Sequence, residues 1–214
     1  MTIPVKAVSL AHAVCVPNNT YMSEFCEATP TLDNYWRSIV LFGRNVASYK
    51  FALAKSLLEF QDWRNDLIRL DELSLHFSRN ICEYLVHSPK QATSSSSKFL
   101  DSCRKLNTGN QTQDDLVKIT AKLGFNNVID AFHVVNQGAI PKLFFIDERR
   151  KNKGIRLTDN PFKLLGNKHA GSLIPEVEAR WGLWETAISI EINPKLLQIH
   201  GDRINEQLYI LKEK

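Results

Sequence analysis

Three groups of basic residues are the parts of this sequence whose types and spacing can do chemistry. Wound at about 100° per residue, the segment 33–60 brings Arg37, Arg44 and Lys55 within about 20° of one another, opposite an apolar stripe. Three cations in line can follow a phosphate backbone, the basis of sequence-independent affinity for nucleic acid. Taken alone, such a face can equally serve only to keep a helix solvated. The segment 142–168 holds eight lysines and arginines against three acids, a net +5 in a chain whose total is +4. Distribution rather than the sum decides electrostatic binding, so this segment is the stronger footprint. Within it Arg149, Arg150, Lys151, Lys153 and Arg156 cluster around a turn. Lys90 and Lys98 flank the run "QATSSSS", whose amide and hydroxyls can also contact phosphates. Arg37, Arg44, Lys55, Lys90, Lys98, Arg149, Arg150, Lys151, Lys153 and Arg156 are therefore the candidate DNA-binding residues.

Catalytic patterns do not assemble. His12, His76, His87, His133, His169 and His200 are never three to five apart, and none follows a close cysteine pair, so the spacings of zinc fingers and metalloproteases are missing. Cys15, Cys26, Cys82 and Cys103 are widely separated and read as free thiols of a reducing compartment. "LGNKHAG" lacks the order and spacing of a phosphate loop, and the serine run lacks the G-x-S-x-G turn that exposes a nucleophile. Asp130, Asp147 and Arg149 faintly resemble the acidic pattern of a metal-dependent nuclease. An arginine there cannot give up its proton near neutral pH, so pairing of Asp147 and Glu148 with neighbouring arginines is expected instead. No catalytic residue, no metal ligand and no cofactor site is assigned.

At 214 residues, with 43% hydrophobic and 23% charged content, the chain can bury one substantial core. It shows neither a signal peptide nor an uninterrupted apolar run of about 18 residues, so a soluble, cytoplasmic protein without membrane contact is expected.

The elements that must position the basic residues read as mainly helical. Residues 1–31, with Pro4, Pro17 and Pro30, form an extended lead-in. One helix of about 28 residues is expected over 33–60. Tyr35, Ile39, Phe42, Val46, Tyr49, Leu53, Leu57 and Phe60 share one side, Thr31 or Asp33 caps it, and Gly43 weakens it slightly. A second helix is expected over 66–87, stopped by Pro89, and a third over 97–106, capped by the serines. A fourth runs over 112–123, capped by Thr112, with Gly124 in the left-handed position after its end. A fifth spans 126–136 and carries His133 on the apolar run "VIDAFHVV". "KLFFID" and "GIRLT", joined by "ERRKNK", read as a hairpin with a basic tip. Asp159 and Pro161 start a short helix, and Ser172 and Pro175 a longer one on which Ile174, Val177, Trp181, Trp184 and Ile188 keep a three-four spacing. Trp36, Trp63, Trp181 and Trp184 mostly keep step with the apolar stripes and belong to the core. "DRINEQLYILKEK" reads as strand or helix. The expected fold is mainly α: a multi-helix globular domain with a long central helix and one small β-hairpin. It divides into a lead-in (1–31), a helical domain (32–140), and a hairpin with C-terminal helices packed on that domain (141–214).

Several phrases together resemble the N-terminal region of a bacterial HNH endonuclease family associated with anti-phage defence loci. They are "YWRSIVLFGRNVASYKFALAKSLLE", "PKQATSSSSKFLDSC", "LGFNNVIDAFHVVN", "FFIDER" with "GIRLTD", and "EVEARW" with "ETA", and the resemblance runs from about residue 32 to 209. It implies a helical domain that precedes a compact nuclease module with a cysteine-pair zinc site and His-Asn-His residues that bind a divalent metal. No such module is expected in this chain, so zinc and divalent metal would belong elsewhere and no catalytic residue carries over. The expectation is a non-catalytic domain that positions DNA for that module. The alternative is a protein-interaction or self-association scaffold of a defence complex without direct DNA contact.

Overall fold

The computed structural model describes residues 4–5, 30–43, 47–60, 66–94, 96–135, 138–194, 197–202 and 207–212. The chain is mainly α, with short antiparallel sheets. Of the expected lead-in, only β1 (Pro4–Val5) and the residues from Pro30 onward fall within the described residues.

The long helix expected over 33–60 is instead two. α1 (Leu32–Phe42) starts at Thr31, whose hydroxyl accepts the Asn34 N–H at 3.3 Å. It stops at Gly43, where the backbone turns extended and bridges Val135. Ala47 bridges Ala92 and the Ser48 N–H donates to the Gln91 carbonyl at 3.0 Å before α2 (Tyr49–Glu59) begins. A Cβ on Gly43 would lie 2.5 Å from both the Ile39 carbonyl oxygen and Lys50 Nζ, so the close approach at the break demands glycine.

β2 (Leu67–Arg69) takes the first turn of the second expected helix. α3 (Leu70–His87) follows, with Glu72 accepting the Arg69 N–H at 3.1 Å in a capping box. Ser97 caps α4 (Lys98–Asn107) and Thr112 caps α5 (Gln113–Ile119), as expected. α5 continues as a π-helical turn through Gly124, and Thr120 Oγ1 donates back to the Leu116 carbonyl at 2.7 Å. Gly124 does not adopt the left-handed conformation expected of it. It lies against Phe77, whose ring a Cβ would meet at 3.2 Å, and among the described glycines positive φ is found at Gly109.

The fifth expected helix shrinks to one turn, α6 (Val128–Ala131), before β3 (Val134–Val135) pairs with β4 (Gly138–Ala139). His133 falls in the turn between α6 and β3 rather than on a helix. It is buried, and its Nε2 accepts the Phe144 N–H at 2.9 Å. Burial, reinforced by the nearby Lys50 ammonium, pushes its pKa down to about 4, so it is a neutral core residue with its proton on Nδ1.

The predicted hairpin is present as β5 (Phe145–Asp147), the turn helix α7 (Arg149–Asn152) and β6 (Gly154–Leu157). It gains a third strand, since β2 pairs antiparallel with β6, Ile68 opposite Ile155. α8 (Asp159–Leu165) and α9 (Ala170–Ser189) follow. β7 (Leu197–Asp202) and β8 (Gln207–Lys212) form a second three-stranded sheet with β1, in the order β1-β8-β7, so "DRINEQLYILKEK" contributes strand.

The core closes around α2, which lies between α3 and α9. Phe51 packs on Trp181 and Trp184, and Tyr84 stacks on Trp181 at 3.6 Å with the rings nearly parallel. Trp36, Trp181 and Trp184 are buried as expected; Trp63 lies outside the described residues. Nine of the eleven α2 residues are buried, so this helix hides its polar side as well as its apolar one. No helix among the described residues is long and apolar enough to cross a membrane.

A polar network joins α9 to the loop after α3. Gln91 is fully buried; its Oε1 accepts the Trp181 indole N–H at 3.0 Å, and its Nε2 donates to the Ser88 carbonyl and to Glu185. Burial pushes the Glu185 carboxyl up to about 7. Between the ordinary carboxylate range and pH 7 the folded chain thus keeps a proton that the unfolded chain has lost, and stability falls as pH rises through that window. Glu185→Gln keeps an acceptor for Gln91 but removes the titration. It should melt above the parent at pH 8, by about 1 kcal/mol once solvent screening of this half-buried carboxyl is allowed for, with the advantage vanishing near pH 4. Melting curves at the two pH values check this, and a pH-independent difference would rule it out.

Candidate nucleic-acid interface

The expected stripe on the first helix does not face solvent. Arg37 is 8% exposed, and its guanidinium makes a bidentate pair with Glu176 of α9, Nε to Oε2 at 2.7 Å and Nη2 to Oε1 at 3.0 Å. Hydrogen bonds to that carboxylate hold its pKa above the usual arginine value. Lys55, also 8% exposed, sits 2.8 Å from Glu178, 3.8 Å from Glu59 and 4.0 Å from Glu83, over the Tyr84 ring. Both cations join α9 to the helices before it, and neither presents charge to a ligand. Arg44 lies outside the described residues.

The basic hairpin tip is where the sequence-nominated cations do come together, and they divide into two jobs. Arg149 turns inward. Its guanidinium donates to Asp147 through Nε at 2.9 Å and Nη2 at 2.8 Å, to Asp130 at 2.5 Å and to the Phe125 carbonyl at 3.0 Å. This pairing holds the Asp147 carboxyl below its usual range and raises Arg149. Arg156 likewise donates to Glu148 at 2.8 and 3.1 Å and to Asp66 at 2.6 Å, which keeps Glu148 low and Arg156 high. Asp130, Asp147 and Arg149 therefore meet, but as an ion-pair bridge, the outcome expected of an arginine in that position.

Arg150, Lys151 and Lys153 turn outward. All three are exposed, and none of them is in an ion pair among the described residues. The backbone that carries them is fixed from several sides. The Lys151 and Asn152 N–H groups donate to the Glu148 carbonyl at 3.1 and 2.7 Å, and the Leu70 N–H donates to the Lys153 carbonyl at 2.9 Å. Lys153 itself closes the turn in the left-handed conformation, φ 52° and ψ 41°. Two arginines thus lock the turn and three cations are displayed on it. Such a surface loses little conformational freedom when an anion docks. The footprint is smaller than the sequence count of +5 implied, because two acids from outside the segment, Asp130 and Asp66, also pair with Arg149 and Arg156.

Lys90 and Lys98 are exposed but lie apart from the tip. The tip bonds to the first residue of α3, whereas Lys90 follows its last turn, and 18 helical residues span roughly 27 Å. Asp66, which also positions the tip, was not nominated from sequence. Asp66 is 90 residues from Arg156, and no local spacing announces that pairing.

The chain matches no family model, no curated protein and no solved structure. Among the described residues no group of three or more His, Cys, Asp or Glu side chains is placed to hold a metal ion. His133 spends its free nitrogen on the Phe144 N–H, and Asp130 and Asp147 are bridged by Arg149.

Proposed function

We propose that this chain is a non-catalytic, cytoplasmic DNA-recognition domain of an HNH-type endonuclease in prokaryotic defence. It holds DNA by its phosphates at the turn 148–154 while a separate nuclease module does the cutting. What supports the reading is the display of Arg150, Lys151 and Lys153 on a backbone already locked by Arg149 and Arg156. Contacts of this kind are to phosphate, so affinity follows ionic strength and hardly depends on base sequence.

The test is fluorescence anisotropy on duplex DNA over a salt series, with the chain and a triple variant Arg150→Gln, Lys151→Gln, Lys153→Gly. Glycine is chosen at position 153 because it takes the left-handed conformation without strain. The variant should keep its melting temperature, lose roughly tenfold or more in affinity at moderate salt, and show a log–log salt slope shallower by about 2–3. Equal binding by parent and variant would remove the tip from the interface. The second reading, a protein-docking scaffold, is favoured by Leu143 and Ile146, 40% and 50% exposed beside the same turn. It predicts no anisotropy change together with a stable oligomer in solution.

A further inference from the structure

Two thiols that the DNA-binding reading leaves unused lie side by side between helices. Cys82 on α3 and Cys103 on α4 are both free and both buried. Cys82 Sγ donates to the Cys103 carbonyl oxygen at 3.8 Å. The helices are held in register beside them, with Asn107 Nδ2 donating to the Cys82 carbonyl at 2.9 Å. Of the pair, Cys82 keeps some surface on solvent, 7% against 0% for Cys103.

We propose that Cys82 and Cys103 are an oxidisable dithiol, closed to a disulfide between α3 and α4 by a hydroperoxide. Cys82 is the attacking sulfur because it is the more accessible. The neighbourhood of Cys103 also holds the Cys82 pKa below the ordinary thiol value, whereas the pairing and burial push Cys103 up. The Cys82 thiolate attacks the peroxide, forming an S–O bond as the O–O bond breaks; the departing oxygen takes up a proton and leaves as water or alcohol. Cys103 sulfur then attacks Cys82 Sγ. The S–S bond forms, the S–O bond breaks, and the hydroxyl leaves as water with the Cys103 proton. The dithiol loses two electrons and the peroxide gains them.

The full chain treated with hydrogen peroxide, alkylated after denaturation and digested should yield a cross-linked peptide pair joining Cys82 to Cys103, two hydrogens lighter than the separate peptides. Its melting temperature should rise by roughly 5 °C and return on reduction, as expected for closing a loop of this length. In a Cys103→Ser variant the sulfenic acid on Cys82 should persist and be trapped by dimedone. Full alkylation of both thiols after peroxide, over-oxidation without a cross-link, or pairing of Cys82 with Cys15 or Cys26 would each overturn the proposal.

Discussion

Gly154→Ala should cost about 2–4 kcal/mol of stability, because the new methyl has nowhere to go. A Cβ at this position would stand 2.2 Å from the Ile68 carbonyl oxygen and 3.1 Å from the Arg69 Cα, both backbone atoms of the paired strand. Rotamer changes cannot relieve such a contact; β2 and β6 must move apart. That movement would loosen Ile68 opposite Ile155, both fully buried, and the Asp66–Arg156 pair beside them. Gly182→Ala is the matched control. It lies inside α9 with no atom within 4 Å of its added Cβ, and alanine there should stabilise by about 0.5–1 kcal/mol. Urea unfolding of the two variants would show opposite signs. If Gly154→Ala unfolded with the parent, the close strand pairing described above would be wrong.

Glu176→Ala should be as damaging, about 3–5 kcal/mol, for an electrostatic reason. Arg37 and Glu176 side chains are each only 10% exposed, and the carboxylate also accepts the Ser172 hydroxyl at 2.8 Å. Removing the glutamate leaves a guanidinium in a poorly solvated site without a counter-charge. The double variant Arg37→Leu, Glu176→Leu removes both charges and should recover most of the loss, since an apolar pair of similar volume avoids the desolvation cost of the ions. Denaturant melts of the single and double variants test this as a thermodynamic cycle. Additive losses would mean that the two groups do not depend on each other. DNA affinity of the folded double variant should equal that of the parent, since Arg37 faces Glu176 and not solvent.

The fold was legible wherever the signal is local. Ser97 and Thr112 cap the helices they were expected to cap, and the alternating runs around "ERRKNK" form the expected hairpin. The single helix over 33–60 failed for a reason visible in its own wheel. Phe42, where α1 ends, and Tyr49, where α2 begins, are seven residues apart, so the apolar positions stay in phase and periodicity passes straight through the break. Gly43 was the one local sign of the interruption, and what requires it is the close approach of the Ile39 carbonyl oxygen, with Lys50 beside it. The stripe of Arg37 and Lys55 was misread because the acids that cover it, Glu176 and Glu178, come from α9, more than 120 residues onward in the sequence. A polar helix face looks the same whether water or a later helix covers it. At the tip the reverse holds: the cluster of cations was legible, while its division into inward and outward residues depended on Asp66 and Asp130, which only the folded chain brings near.

The Arg37–Glu176 pair also sets an order of events during synthesis. A ribosome that has added Arg37 must add 139 further residues before the carboxylate that neutralises it exists, and Lys55 waits almost as long for Glu178. α3, α4 and α5 contact one another over short sequence distances and can collapse as they emerge. Lys55 has Glu59 and Glu83 nearby once α3 is made, so it is the Arg37 face of α1 that stays hydrated until α9 arrives. The Arg37–Glu176 pair, a static brace in the finished fold, is thus a latch that closes late in the making of the chain.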